Sequence, residues 1–284
     1  MQSRRVQLKD GRHLAFATYG PIDGAPVLHH HGAPGSRLAA FTEQDLAAEA
    51  VCLVVADRPG YGESDPHPAG ASLRRWTEDA AALADHLDWP RFAVSGHSAG
   101  GSFALACGAF LTERVTSLAV VAGAGEVGDL QAGWVLPSPF DDAVRLARDD
   151  PATLRDYLLA TTSRDSLLEL LRGRAIGADA ALYADRDYMR LFADTFDEAL
   201  RQGATSYVDE FILLTQPWDL PLAAIQAPCH FWYGDEDPNP LHQPAHGRHL
   251  AERVANATFH LVPGAGAEML RHAVARDILR GLRA

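Results

Sequence analysis

The chain has few cysteines and lacks a long apolar run. Its 284 residues include three cysteines, too few for a disulfide framework. Cys52, Cys107 and Cys229 each lie in an apolar stretch, so we predict buried free thiols in a reducing compartment. No apolar run approaches the roughly 20 residues that a membrane-spanning helix needs. The two arginines near the N-terminus are not followed by the apolar stretch of a signal peptide. We therefore predict a soluble, cytoplasmic protein.

Positive charge is also scarce. Lys and Arg number 25 against 37 for Asp and Glu, so the formal net charge is −12. Such a surface repels phosphate backbones and anionic lipids, which argues against nucleic acid and membranes as partners and leaves a small-molecule substrate. The oligomeric state stays open. Hydrophobic residues make up 47% and charged residues 22%, the usage of one large globular domain or a domain with an insertion.

Short apolar runs alternate with longer helical patterns, which is typical of parallel strands joined by crossover helices. Continuous apolar runs favour inner strands that are covered on both faces. Asp10 and Gly11 predict a hairpin between the first two strands. Strands are predicted at residues 6–8, 13–19, 27–31, 52–57, 92–95, 115–122, 229–233 and 258–262. Helices are predicted at residues 77–86, 99–112, 242–254 and 269–282.

The alternation stops between about residues 125 and 227. This segment contains no convincing strand, but it has amphipathic patterns such as residues 150–160 and 165–171. Asp150 and Pro151 form a helix start, with proline at the first helical position. We predict a core made of residues 1–124 and 228–284, with a helical cap at residues 125–227.

The strongest chemical signal is Gly-His-Ser-Ala-Gly at residues 96–100, between a predicted strand and a predicted helix. In this context G-x-S-x-G forms a sharp turn that exposes the serine, here Ser98, at the end of the strand. The flanking glycines let the chain pass closely on both sides. The helix that follows presents the N–H of Ala99 to an oxygen bound at Ser98. The pattern therefore predicts a nucleophilic serine.

This strand–turn–helix segment resembles the α/β-hydrolase family, and the resemblance extends over nearly the whole chain. Residues 31–36 (His-Gly-Ala-Pro-Gly-Ser) are similar to the family's oxyanion loop, which implies that Ala33 supplies a second oxyanion N–H. Residues 57–64 resemble its D-x-x-G-x-G-x-S turn, and residues 233–238 its G-x-x-D segment. The last similarity implies Asp237 as the catalytic acid, with Asp235 in reserve. The family's fold is α/β: a mostly parallel eight-stranded sheet, helices on both faces and a helical cap.

The family's histidine is missing from its usual place. Where the resemblance puts it, after the last strand, the chain has Ala267, and an alanine cannot take the serine proton. In another serine hydrolase, loss of this histidine costs about a millionfold in turnover, so we expect the chain to be nearly inactive. Three explanations stay open: an engineered His→Ala variant, a natural non-catalytic member, or substitution by His272, His242 or His246.

The expected activity is hydrolysis of an ester or lactone of a small to medium apolar molecule through an acyl-enzyme, with no metal or cofactor. Amide or peptide cleavage is an alternative, because the oxyanion loop is similar to that of proline iminopeptidases. C–C bond hydrolysis, lyase chemistry and acyl-transfer cyclisation use the same site, and a ligand-binding pseudo-hydrolase needs no base at all. Alternation along the strand argues against a metal site at residues 29–31. The candidate substrate-lining residues are His31, Trp134, Phe140 and Trp218, and leucines 154, 158 and 159 are weaker candidates.

Overall fold

A computed structural model describes residues 2–283 of the chain. Within this range the strands are β1 (Gln2–Gln7), β2 (His13–Tyr19), β3 (Ala25–His30), β4 (Val51–Ala56), β5 (Phe92–His97), β6 (Val115–Val121), β7 (Cys229–Gly234) and β8 (Ala257–Val262). They form one eight-stranded sheet in the order β1-β2-β4-β3-β5-β6-β7-β8. The pairs β1–β2 and β2–β4 are antiparallel, and the other pairs are parallel. The predicted mostly parallel sheet is confirmed.

Every predicted strand is present, but β1 is longer than the sequence indicated. It begins at Gln2 rather than Val6, and its residues pair with β2 from Gln2 opposite Thr18 onward. This is an edge strand, so backbone pairing rather than apolar burial defines its length. A search for apolar runs therefore detects only its last residues.

The helices are α1 (Glu43–Ala48), α2 (Leu73–His86), α3 (Gly100–Phe110), α4 (Phe140–Asp149), α5 (Pro151–Thr161), α6 (Arg164–Arg174), α7 (Gly177–Ala184), α8 (Arg186–Ala199), α9 (Thr205–Leu214), α10 (Pro244–Ala251) and α11 (Ala275–Leu282). Two buried apolar clusters flank the sheet. One contains Leu83 of α2, Phe103 of α3 and Leu250 of α10. The other contains Leu46 of α1 and Ile278 of α11. Helices therefore cover both faces of the sheet, as expected.

All four predicted helices differ in their bounds, although α3 (Gly100–Phe110, predicted at 99–112) differs by at most two residues at either end. Helix α2 begins at Leu73, because the Ser72 side chain caps it by accepting the N–H of Arg75 at 3.3 Å. The helix predicted at residues 242–254 begins only at Pro244, so His242 lies in the preceding loop. The segment 269–282 divides into a 3-10 turn (Met269–Arg271) and α11, with an extended backbone at His272 between them.

Residues 125–227, the cap segment, contain α4 to α9 and a 3-10 turn (Leu222–Ala224), and no strand is described among them. Helix α5 starts at Pro151, as predicted, and the Asp150 carboxylate caps it by accepting the N–H of Thr153 at 3.1 Å. The cap segment is bonded to the rest of the chain. For example, Arg37 Nη1 lies 2.6 Å from Glu198 Oε1 of α8, and Gln202 Nε2 donates to the carbonyl of Gly62 at 2.9 Å.

The three cysteines are buried and free, as predicted. Burial raises the pKa of the Cys107 and Cys229 thiols far above the ordinary value. Such thiols are packing residues rather than nucleophiles. Among residues 2–283, no helix combines the length and the apolar character that crossing a bilayer would take.

Candidate active site

Ser98 lies on the turn between β5 and α3. Its φ is 53°, a left-handed conformation that is costly for a residue with a side chain and that lifts the hydroxyl off the end of the strand. The neighbouring glycines are required by space. A Cβ on Gly96 would overlap the carbonyl of Gly100, and a Cβ on Gly100 would overlap the carbonyl of His30. The turn predicted at residues 96–100 is therefore present.

A histidine and an aspartate complete a hydrogen-bonded chain with Ser98. The distance from Ser98 Oγ to His242 Nε2 is 2.8 Å, and the distance from His242 Nδ1 to Asp237 Oδ2 is 3.0 Å. A carboxylate only accepts, so Nδ1 donates to Asp237 and Nε2 is left to accept the serine proton. His242 and Asp237 are both at least nine-tenths buried. This is the geometry of a nucleophile, a general base and an orienting acid.

An imidazole, that of His242, therefore lies within hydrogen-bonding distance of Ser98, although Ala267 stands where the family resemblance puts the histidine. Ala267 lines the same cavity as Ser98, but its backbone is already engaged. Its carbonyl accepts from His97 Nε2 at 3.0 Å, and its N–H donates to Asp179 Oδ2 at 2.7 Å. The imidazole comes from the loop after β7 instead of the loop after β8. Of the alternatives that the sequence left open, His242 is the one at the serine.

The two other candidate histidines bond elsewhere. His272 Nε2 lies 3.3 Å from Asp179 Oδ1, in the extended stretch before α11 rather than on a helix. His246 Nδ1 lies 3.2 Å from the carbonyl of Leu241, and its ring packs against Trp134 at 4.4 Å between centroids. The family resemblance indicates a histidine after the last strand, so it does not single out His242, which follows Asp237 by only five residues. The short Asp–His spacing after β7 is the signal that could have been used.

Asn239 holds the loop that carries Asp237 and His242. Its N–H donates to Asp237 Oδ1 at 2.9 Å, and its side-chain oxygen accepts the N–H of Leu241 at 3.0 Å. Its Nδ2 lies 3.2 Å from His242 Nε2. Asp235, the reserve acid, instead accepts the N–H of Gly264 at 2.7 Å and is exposed. The geometry therefore favours Asp237 as the partner of the histidine.

Ala33 and Ala99 border the cavity at Ser98. Residues 31–36 pass close to Ser98, since a Cβ on Gly32 would lie 3.4 Å from Ser98 Cβ. Within residues 2–283, neither the N–H of Ala33 nor that of Ala99 donates to a protein acceptor. Two unpaired amides beside a nucleophile are what an oxyanion needs.

The cavity has a volume of about 230 Å³. Its walls are mainly aliphatic and aromatic, and about half of the lining residues belong to the cap segment. Phe140, one of the candidate lining residues, borders the cavity together with Leu167, Leu171, Phe192, Phe196, Phe211 and Leu214. Polar side chains, including Arg271 and Glu268, also line the cavity. An apolar chamber with a few polar groups beside the serine fits a small organic ligand.

Three of the predicted lining residues have packing roles instead. Trp134 packs against the rings of His246 and His249, and the indole N–H of Trp218 donates to the carbonyl of Leu214 at 3.1 Å inside an apolar cluster. His31 packs against Tyr61, with ring centroids 5.2 Å apart. None of these three residues is among the described residues that line the cavity at Ser98.

The three consecutive histidines beneath the site are uncharged. Burial lowers the pKa of His29 and His31 well below the ordinary value, and that of His30 to about 3. His31 Nδ1 donates to the carbonyl of Gly32 at 2.7 Å, so its Nε2 accepts the N–H of Arg58 at 3.3 Å. In the part of the chain that the structure describes, no group of three His, Cys, Asp or Glu side chains could hold a metal ion.

The chain is similar to known proteins both in sequence and in structure. The model of the alpha/beta hydrolase family matches residues 27–277. A dihydrolipoyllysine-residue acetyltransferase component of the acetoin cleaving system from Pseudomonas putida is 35% identical over 174 residues, which are 61% of this chain and 46% of that protein. A proline iminopeptidase from Arabidopsis thaliana is 31% identical over 118 residues, 41% of this chain and 31% of that protein. The matched regions thus span less than half of these curated relatives.

Among solved structures, a thermophilic esterase from Thermogutta terrifontis, determined with malate bound, superposes with a TM-score of 0.73. The two chains are 19% identical, and the match covers 100% of each. At this identity the likeness concerns the fold, including the sheet and the helices that cover it. Activity has to be argued from the site itself.

Proposed function

Because the chain belongs to the alpha/beta hydrolase family, we propose that it is a serine hydrolase that cleaves an ester or lactone through an acyl-enzyme. The observation that carries this proposal is the hydrogen-bonded series from Ser98 Oγ through His242 to Asp237. The family supports hydrolysis in general. The residues and the substrate are our inference from the site.

In the first half-reaction, Ser98 Oγ attacks the carbonyl carbon while its proton passes to His242 Nε2. Asp237 stabilises the imidazolium that forms and keeps the ring in the productive tautomer. The carbonyl oxygen becomes an oxyanion and accepts the N–H groups of Ala33 and Ala99. Collapse of the tetrahedral intermediate breaks the C–O bond, and the leaving alcohol takes its proton from His242.

In the second half-reaction, water donates a proton to His242 Nε2 and its oxygen attacks the acyl carbon. The same two amides hold the second oxyanion. Its collapse releases the acid, and His242 returns the proton to Ser98 Oγ. Every proton transfer passes through one imidazole, so the reaction needs no second base.

The walls of the cavity support a mostly apolar substrate of small to medium size. Phe192, Phe211 and Leu171 present ring and aliphatic surface to the space beside the serine. Burial of apolar area is worth about 25 cal/mol per Å², so acyl groups that fill this space gain affinity from contact alone. We propose short to medium acyl esters, or lactones of similar size, as the substrate class.

The proposal also includes turnover by the chain as it stands. The expectation of near-inactivity depended on a missing base, and His242 supplies an imidazole within hydrogen-bonding distance of Ser98. The ligand-binding pseudo-hydrolase remains the competing hypothesis. It predicts binding of the same apolar esters in the cavity without release of acid.

The experiment is an assay with 4-nitrophenyl esters of increasing chain length, combined with fluorophosphonate labelling of Ser98. We expect labelling of the wild-type chain, and its loss in Ser98→Ala. His242→Ala should lower kcat by about 10⁵- to 10⁶-fold, as loss of the base does in a comparable hydrolase. His272→Ala is the matched control and should retain activity. An unlabelled wild-type chain without turnover would overturn the proposal.

Amide or peptide cleavage is a second candidate, supported by the 31% identity to a proline iminopeptidase over 118 residues. The same nucleophile and oxyanion donors serve an amide carbonyl, but the leaving amine must be protonated more fully. Aminoacyl 4-nitroanilides, including the prolyl derivative, measured beside the matching esters, separate the two activities. A higher kcat/KM for the anilides would favour the peptidase.

A further inference from the structure

The proposed oxyanion donor of Ala33 shares a peptide plane with the carbonyl of Gly32. The Gly32–Ala33 bond is not among the cis peptides of the described chain. In a trans peptide the C=O and the N–H point in opposite directions. Whatever fixes the direction of the Gly32 oxygen therefore also fixes the direction of the Ala33 N–H, which points the opposite way within the same plane.

The guanidinium of Arg58 holds this oxygen. Arg58 Nη2 donates to the carbonyl of Gly32 at 3.1 Å, and Arg58 Nη1 donates to the carbonyl of His31 at 2.6 Å. The side chain is buried, with 1% of the residue exposed, and it lies over the ring of Phe103 at 4.5 Å. The neutral His31 ring adds its Nδ1–H to the Gly32 oxygen. The plane is thus fixed by two donors on one oxygen.

Arg58 is in turn held by a residue of the cap segment. Its Nε lies 2.8 Å from Glu210 Oε2, and its Nη2 lies 2.6 Å from Glu210 Oε1. Glu210 belongs to α9 and is 2% exposed. Burial alone would lower the pKa of Arg58, but the Glu210 carboxylate raises it above the ordinary value. The guanidinium therefore stays charged beneath the oxyanion loop.

Helix α9 also forms part of the cavity wall. Tyr207, Phe211 and Leu214 of this helix line the cavity beside Ser98. Residues on either side of Glu210 thus face the substrate space, while Glu210 binds the arginine that holds the oxyanion loop. A single helix contacts both the bound molecule and the support of the catalytic amide.

We propose that Arg58 is a positioning residue, which holds the Gly32–Ala33 peptide so that its N–H points toward the oxyanion. Because Glu210 of α9 binds Arg58, the orientation of this peptide depends on the position of α9. The inference rests on the proposed function, because it assigns a task to the Ala33 amide. Hydrogen bonds to the carbonyl also polarise the peptide, which strengthens its N–H as a donor. A displaced α9 would weaken the oxyanion hole, so the position of this helix affects turnover.

The test is to replace Arg58 and to separate turnover from binding. Removing an oxyanion donor outright costs about 10²- to 10³-fold in kcat. We expect Arg58→Met to lower kcat by about 10- to 100-fold, because the amide remains but loses its alignment. The KM for 4-nitrophenyl butyrate should change by less than about threefold. Affinity for a phenylboronic acid, whose serine adduct is a tetrahedral anion, should fall by the same factor as kcat. Arg58→Lys should restore part of both.

Glu210→Gln should lower kcat in the same direction by a smaller factor. The double variant Arg58→Met/Glu210→Met removes both buried charges, so it protects the test against misfolding from an unpaired carboxylate. Arg12→Met is the matched control: it breaks a bidentate pair with Asp79 at 2.7 and 2.9 Å that does not touch the oxyanion loop. Equal losses of melting temperature, with kcat reduced only in the Arg58 variants, would support positioning. Unchanged kcat and boronate affinity in folded Arg58→Met would overturn it.

A readout independent of turnover distinguishes this inference from the proposed function. The amide proton of Ala33 in a ¹⁵N-labelled chain reports the polarisation of the Gly32–Ala33 peptide. We expect its resonance to move upfield in Arg58→Met and to stay in place in Arg12→Met. If the wild-type chain neither labels nor turns over esters, the proposed function fails. In that case, an Ala33 resonance that stays in place in Arg58→Met also rejects the positioning role of Arg58. A resonance that moves supports the positioning role although the proposed function has failed.

Discussion

His242 Nε2 lies 2.8 Å from Ser98 Oγ, although 144 residues separate the two along the chain. Asp237, which orients the imidazole, belongs to the same loop as His242 and precedes it by five residues. Acid and base are thus delivered together by the loop after β7, and Asn239 fixes that loop internally. One local unit therefore provides two of the three side chains that the proposed mechanism uses.

This arrangement predicts that a histidine at position 267 is not needed. We expect Ala267→His to change kcat for 4-nitrophenyl butyrate by less than about tenfold, because the base position at Ser98 is already filled. Steady-state kinetics beside the wild-type chain give the measurement. A rise of several orders of magnitude would instead mean that the chain is a variant lacking its natural base, and that His242 does not act as one.

The orienting role of Asp237 gives a second prediction. Asp237→Asn keeps the shape of the side chain but favours the wrong tautomer of His242, so kcat should fall by about 10⁴-fold. Asp235→Asn is the control. The Asp235 carboxylate is exposed and accepts the N–H of Gly264, so kcat should stay within about threefold. Equal losses in both variants would contradict the assignment of the acid.

The buried neutral histidines predict a loss of stability in acid. Burial keeps the folded-state pKa of His29, His30 and His31 below the ordinary value. Below about pH 6.5 the unfolded chain therefore binds more protons than the folded chain, so the free energy of unfolding decreases as the pH is lowered. Three such groups give a slope of up to about 4 kcal/mol per pH unit near pH 5.

Urea titrations between pH 7.5 and 4.5 measure this slope. His30→Gln should reduce it by about 1.4 kcal/mol per pH unit, the contribution of one proton. A flat profile from pH 6.5 to 5 in the wild-type chain would show that the three histidines are not held neutral.

Two glycine substitutions, one in the turn at Ser98 and one in α6, should have opposite effects on the free energy of unfolding. A Cβ at Gly100 would overlap the backbone carbonyl of His30, whereas a Cβ at Gly173 in α6 meets no atom within 4 Å. We expect Gly100→Ala to lower the free energy of unfolding by about 3 kcal/mol. Gly173→Ala should raise it by up to about 1 kcal/mol, because alanine is the better helix former. Urea unfolding measures both, and a stable, active Gly100→Ala would contradict the described turn.

Much of the fold was predictable because it is encoded locally. The continuous apolar run at residues 51–56 has one reasonable structure, an inner strand, and β4 is buried along its whole length. Asp150 and Pro151 predicted the start of α5 for a reason that lies within one turn of helix. Elements shaped by neighbours were predicted less well: β1 owes its length to pairing with β2, and the segment at 269–282 is interrupted where His272 meets Asp179.

The sequence alone determined the parallel sheet, the sharp turn that carries Ser98 and the acidic loop after β7, because each depends on backbone conformation and burial within a short stretch. Only the tertiary structure decided which histidine reaches the serine. The distance between two side chains on separate loops depends on strand order and on how the loops close over the sheet. Neither property can be recognised in the local spacing of residues. The alanine at position 267 therefore indicated a missing histidine, whereas the loop after β7 places His242 beside Ser98.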